Sequence, residues 1–324
     1  MHALRFFSVL FALLVAGSAP SRLAAPAHAA DRLTVLLDWF VNPDHGPLVI
    51  AREKGFFRDQ GLAVELVAPA DPNDPPKLVA AGKADIAIGY QPQLHLQVHE
   101  GLPLVRIGTL VATPLNSLVF LADGPIRQLS DLKGRKVGYS VGGFEEALLG
   151  AMLERHGLAL SDVVLVNVNF ALSASLLSGQ VDAVIGAFRN FELHQLALEG
   201  RPGRAFFPEE EGVPPYDELV YLVRRDRLDR PEFARFLAAV ERATFWILNR
   251  PEEAWAVFSA TAAELRDELN RRAWAATVPR FAHAPAALDV GRYARFAAFL
   301  HERKLIGPPP PVETYAVDLG ARRR

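Results

Sequence analysis

The sequence predicts an α/β protein of two lobes on mainly parallel sheets, and three observations carry that reading. Short runs rich in Val, Ile and Leu alternate with helical stretches along most of the chain, the pattern of strand–helix–strand units. The runs lack a strict in–out alternation, as expected where both faces of a sheet are covered. At 324 residues the chain is long for one core and suits two domains, yet no flexible Gly/Ser linker divides it. Two lobes without a linker imply that the chain crosses between them more than once.

In chain order, the expected strands are Thr34–Leu37, Ala63–Val67, Ile86–Gly89, Val105–Val111, Lys136–Ser140, Val163–Val168 and Ala183–Gly186. Helical patterns lie near residues 46–54, 73–81, 91–99, 144–156, 171–178 and 190–199. The first helix closes on Lys54-Gly55, a basic last turn followed by a glycine cap. Two further extended runs, Thr113–Leu121 and Glu218–Val223, read as crossover strands. They place lobe 1 at 31–115 and 219–324, and lobe 2 at 116–218. Past Arg225 the pattern is helical, with Trp246, Trp255, Trp274 and Phe296 on apolar stripes; rings of that area are read as core. The proline run Pro308–Pro311 is expected to end the last helix.

The first thirty residues read as an export signal: Arg5 for the basic region, Phe6–Ala16 for the apolar core, and Ala27-His28-Ala29 for a small-x-small cleavage site. Cleavage after Ala29 or Ala30 would leave about 295 residues. With no cysteine in the chain, a disulfide scaffold, thiol catalysis, thiolate metal sites and a lipid-anchored cysteine are all excluded. A net charge of −2 offers no electrostatic reason to expect nucleic acid or an acidic membrane, and Arg322–Arg324 reads as a solvated tail. A monomer is expected.

Function concentrates at strand ends. In open α/β sheets ligands bind beyond the carboxyl ends of strands, and the loop Asp38–His45 sits at such a junction, between a strand and a helix. Five other polar or glycine-rich loops share that position: Tyr90–Gln93, Asn116-Ser117, Ser140–Phe144, Ala187–Glu192 and Pro215–Asp217. Their chemistry suits a small, flat, polar heteroaromatic. Trp39, Tyr90, Phe188 and Tyr216 can stack on a ring. Asn42, Gln91 and Asn190 supply amide donors and acceptors. Glu192 suits an exocyclic amine or a protonated ring nitrogen; it also fits a first-turn glutamate favoured by the helix dipole. Gly142, Gly143 and Phe144 offer backbone N–H groups at a helix start for a carbonyl oxygen or an anion. Asp38 either touches ligand or caps its loop and orients His45, and His45 either contacts ligand or bonds backbone.

The stretch Asp38-Trp39-Phe40-x-Asn42-x-x-His45, with Ala51-x-Glu53-Lys54-Gly55-Phe56-Phe57 and Gly61-Leu62 after it, resembles the opening of the thiamin-pyrimidine family. That family holds the formylaminopyrimidine-binding proteins of ABC importers and the fungal pyrimidine synthases, within the wider group of nitrate, sulfonate and taurine binding proteins. The resemblance implies a type II periplasmic binding protein, soluble in the periplasm, with a thiamin-pyrimidine precursor as ligand and an inner-membrane permease as partner. It also implies that the glutamate of Arg189-Asn190-Phe191-Glu192 reads the aminopyrimidine edge.

For the fungal branch the resemblance implies pyridoxal phosphate on a lysine, a histidine one helical turn later, and a cysteine-rich metal segment. Here Gln91 holds the lysine position and His95 the histidine position, and cysteine is absent. An amide cannot form a Schiff base, so no cofactor and no catalysis are expected. Gly138-Tyr139-Ser140-Val141-Gly142 has nucleophile-elbow spacing but no acid–histidine pair in hydrolase order. His95 and His99 share a helical face without a third metal ligand. The nearest alternative is a binder of another solute, such as a sulfonate or riboflavin; for a sulfonate only Arg189 is placed to help.

Overall fold

The computed structural model describes residues 30–320; the expected export signal, apart from Ala30, and the basic tail lie outside the described residues. Ten strands form two five-stranded sheets. The first sheet contains β1 (Asp31–Leu36), β2 (Leu62–Val67), β3 (Ile86–Gly89), β4 (Leu104–Val111) and the late strand β10 (Leu219–Arg224), in the order β2-β1-β3-β10-β4. The second contains β5 (Asn116–Leu121), β6 (Lys136–Tyr139), β7 (Val164–Asn167), β8 (Ala183–Phe188) and β9 (Gly203–Phe206), in the order β7-β6-β8-β5-β9. Helices α1 (Gly46–Glu53), α2 (Phe56–Asp59), α3 (Pro75–Ala80) and α4 (Gln91–His99) punctuate the first sheet, and α5 (Phe144–Glu154), α6 (Leu172–Leu177) and α7 (Glu192–Leu198) the second. The chain finishes in α8 (Pro231–Asn249), α9 (Pro251–Ser259), α10 (Glu268–Thr277) and α11 (Val290–Glu302).

The seven expected strands and six expected helices are present, their ends displaced by at most a few residues. Both sheets are mixed, however. The runs read as crossovers, now β5 and β10, are each the antiparallel strand of a sheet: β5 lies between β8 and β9, and β10 between β3 and β4. The backbone linking the sheets is residues 112–115 one way and 207–218 the other. A strand arriving from the other sheet reaches its pairing edge from the opposite end, so it runs antiparallel. The short edge strand β9 and the single turn α2 carry too few apolar residues to stand out in the sequence.

Packing explains the helical carboxyl half. Phe236 of α8 stacks on Phe57 at 5.3 Å and meets Tyr221 of β10 edge-on at 5.2 Å, closing one face of the first sheet. Trp274 is buried against Phe258 at 4.9 Å, while Trp246 and Trp255 pack half-buried on the same cluster. The last helix ends at Glu302, six residues before the first proline of the run: Lys304 takes a left-handed conformation (φ 58°) and reverses the chain there. Its tail returns to β4, where the fully buried Arg106 donates to the carbonyls of Val317 and Ala287 and to the Thr109 hydroxyl. Among the described residues no helix is long and apolar enough to cross a membrane.

Candidate functional site

Between the two sheets lies a cavity of about 420 Å³, its mouth included, lined by Asp38, Trp39, Asn42, Asp44, Tyr90, Glu145, Leu172, Gly186, Phe188, Phe191 and Glu192. Residues from the ends of β1, β3 and β8 meet there.

The β1 loop is built on a tight capping arrangement. Asn42 Oδ1 accepts from the Asp44 amide at 2.8 Å, and the Asn42 amide donates to His45 Nδ1 at 3.2 Å. That donation leaves the ring proton on Nε2, which donates to Asp38 Oδ1 at 2.9 Å. Asp38 Oδ2 accepts from the Tyr90 hydroxyl at 3.2 Å. Both readings of Asp38 therefore hold in part: it lines the cavity and also orients His45. His45 itself is fully buried beneath the loop and supports it from behind.

Aromatic rings supply the walls. Tyr90 stacks on Phe144 at 4.9 Å and meets Phe188 edge-on at 6.4 Å. Phe170, in the loop after β7, packs against Trp39 at 4.6 Å and Phe40 at 4.5 Å. At the floor, Glu192 Oε2 accepts from the Phe188 amide at 2.6 Å, and burial pushes its carboxyl up to about 8. Burial also raises Asp44 to about 6 and Glu145 well above the usual carboxylate range, because the charged form loses its hydration.

The structure brings Asp38, Trp39, Asn42, Tyr90, Phe188 and Glu192 together as expected, and moves the other expected contacts off the lining. Gln91 is buried, its Oε1 accepting from the Asp217 amide at 2.8 Å and its Nε2 lying 3.3 Å from His95 Nε2. Asn116 turns its Oδ1 to the Gly186 amide at 3.1 Å, and Ser117 donates to the Leu115 carbonyl at 3.0 Å. The Gly142 and Gly143 amides are engaged by Asn73 Oδ1 at 2.9 Å and Glu146 Oε2 at 2.5 Å, so they do not form an oxygen seat. Phe144 backs Tyr90. Tyr216 is buried and meets Phe296 edge-on at 5.5 Å. Asn190 donates to Asp44 Oδ1 and to Thr277 Oγ1, both at 2.7 Å, so it joins the two sides of the cleft.

Sequence reasoning missed Asp44, Glu145, Leu172, Gly186 and Phe191. Asp44 and Phe191 lie inside loops already singled out. Glu145 falls in the first turn of the expected helix 144–156, and Gly186 ends the expected strand Ala183–Gly186. Arg189, the one cation that could have served a sulfonate, is off the lining: it donates to the Asn116 carbonyl at 3.0 Å and pairs with Glu209 at 3.0 Å. Ser140 Oγ donates to the Asn169 carbonyl.

Known proteins share this design. The chain is 49% identical over 317 residues, 98% of each chain, to a protein of Haemophilus influenzae named "Putative thiamine biosynthesis protein". It is 36% identical over 258 residues, 78% of each chain, to the "Formylaminopyrimidine-binding protein" of Halalkalibacterium halodurans. Among solved structures, the alkanesulfonate-binding protein SsuA of Xanthomonas axonopodis pv. citri superposes with a TM-score of 0.69 over 88% of this chain and 97% of that one, at 16% identity, which shows a shared fold. The fold is thus that of the periplasmic solute-binding proteins. Residues 42–254 match the family described as NMT1/THI5 like, and the chain belongs to that family.

Proposed function

We propose that this chain is the periplasmic binding component of an ABC importer. Its ligand is N-formyl-4-amino-5-aminomethyl-2-methylpyrimidine, or a close hydroxymethyl or aminomethyl relative, captured for thiamin salvage. The observation that carries this reading is Glu192 at the floor of a cavity walled by Trp39, Tyr90 and Phe188. A carboxyl with a pKa of about 8 is protonated at neutral pH. It can donate to a ring nitrogen while accepting from the adjacent exocyclic amine, a paired contact that an aminopyrimidine edge matches. The name of the Halalkalibacterium relative supports the same ligand class.

In the mechanism we infer, residues 31–115 with 219–324 form one lobe and 116–218 the other, and ligand capture closes the two. A permease in the inner membrane receives the closed form. Asn190 of the second lobe is the latch, because its amide donates to Asp44 and to Thr277 at the end of α10, both in the first lobe. Asn190→Ala should weaken ligand binding by about 1–2 kcal/mol, mainly through faster release. Stopped-flow dissociation reads this; an unchanged release rate would remove Asn190 from the closure.

Calorimetric titration of refolded, ligand-stripped protein with formylaminopyrimidine, taurine and riboflavin tests the function itself. Tight one-to-one binding of the pyrimidine alone is the expected result. Glu192→Ala should cost on the order of 2 kcal/mol of that affinity. Heat from taurine or riboflavin, with none from the pyrimidine, would assign a different solute. Catalysis on the fungal pattern is disfavoured by Gln91, whose amide is committed to Asp217 and His95.

A further inference from the structure

A second contact between the two lobes proposed above is built on Asn73, in the turn between β2 and α3 of the first lobe. Its Nδ2 donates to the Ser140 carbonyl at 3.2 Å, and its Oδ1 accepts from the Gly142 amide at 2.9 Å. Both partners belong to the second lobe, in the turn from β6 to α5. Asn73 is also held from its own side. Asp71 Oδ1 accepts from the Asn73 backbone amide at 2.8 Å and from its Nδ2 at 2.9 Å. A side chain already fixed in its bonding rotamer loses little freedom when the facing lobe arrives, so more of each hydrogen bond remains as affinity.

The turn that Asn73 grips also supports the cavity. The Ser140 amide donates to Glu145 Oε2 at 2.8 Å, and Glu145 is part of the lining. Ser140 Oγ donates to the Asn169 carbonyl, one residue before the Phe170 ring that packs on Trp39. Asn73 itself is not part of the lining. It acts on the walls around a ligand and not on the ligand.

We propose that Asn73 is a second latch of ligand capture: it bonds the Ser140–Gly142 turn when the lobes close, and so slows ligand release without touching the ligand. The inference rests on the two-lobe capture reading above and extends it. Ligand enters the open form, in which the bonds to Ser140 and Gly142 are unmade, so entry does not depend on Asn73. Release requires the lobes to part, and both bonds must then break.

Stopped-flow rates with formylaminopyrimidine test this on wild type, Asn73→Ala and Asp71→Ala. Asn73→Ala should release ligand about tenfold faster, in the lower part of what two hydrogen bonds can supply, because Gly142 is exposed. Its association rate should stay within about twofold of wild type. Asp71→Ala leaves both latch atoms present but frees the Asn73 side chain, and should speed release by about threefold. A residue that merely stabilised its own turn would leave both rates unchanged. Wild-type release from Asn73→Ala overturns the proposal, and so does a loss of affinity that falls on association instead. If taurine or riboflavin is the solute, the pyrimidine reading falls, and the same rates measured with that solute judge the latch, since Asn73 bonds only protein. If none of the three binds folded protein, the pyrimidine reading falls as well, and small-angle X-ray scattering of the free proteins decides. A larger radius of gyration in Asn73→Ala than in wild type supports the latch; an equal one overturns it.

Discussion

Replacing Gly186 with alanine should destabilise the protein by roughly 2–6 kcal/mol, the sum of backbone strain and overpacking at about 1–3 kcal/mol each. The position has φ +96°, where a side chain is strained whatever the space around it, and the added carbon would overlap the Glu145 carboxyl at 2.4 Å. Neither partner can yield cheaply. Glu145 is buried and tethered to the Ser140 amide, and the Gly186 amide is bonded to Asn116 Oδ1. Urea unfolding followed by circular dichroism measures the loss. A change below about 1 kcal/mol would mean that the strand and Glu145 are far less constrained than this geometry requires.

The second large effect belongs to the backbone that links the two sheets. Glu218, at the end of one linking segment, is fully buried, with Oε2 accepting from the amides of Leu115 at 2.5 Å and Asn116 at 2.9 Å. Burial raises its carboxyl from the ordinary 4.5 to about 7. The sign follows directly. Below pH 4.5 the group is protonated in both folded and unfolded chains and contributes no pH dependence. Between pH 4.5 and 7 the unfolded chain releases the proton and the folded one resists, so stability falls as pH rises. Above about pH 7 the loss levels off, at roughly 3 kcal/mol.

Glu218→Gln retains an oxygen for the two amides and never ionises. It should match wild type at pH 4 and exceed it by a few kcal/mol at pH 8, on the order of that linkage term. Glu218→Ala leaves the two buried amides unpaired and should lose about 2–4 kcal/mol at pH 4, where ionisation plays no part. Unfolding curves at pH 4 and pH 8 for the three proteins decide this. A glutamine variant that tracks wild type at both pH values would show that Glu218 is ordinarily hydrated, contrary to its burial.

Much of the site was legible because it is local. Asp38, Trp39, Asn42, Tyr90, Phe188 and Glu192 stand at the ends of strands whose apolar runs are plain in the sequence, and a strand end in this fold class faces the cleft. Several of the residues found off the lining have partners distant in the chain. Asn116 bonds Gly186, Gln91 bonds Asp217, and Gly142 bonds Asn73. Polar type and loop position marked these side chains as candidates, but only the partner brought by tertiary contact shows that the polar group is already satisfied.

By itself, then, the sequence determined the α/β class, the strand and helix succession, the helical carboxyl half and the aromatic, amide and acid character of the pocket. These follow from local periodicity and from residue types that any packing must accommodate. The direction of β5 and β10, the bonding of Asn190 to Asp44 and Thr277, the pairing of Arg189 with Glu209 and the entry of Glu145 and Asp44 into the lining were decided by the tertiary structure. Each depends on which distant group lies within hydrogen-bonding reach, and on how much water is left beside a carboxyl once the two sheets face one another. Neither quantity is carried by any window of the chain.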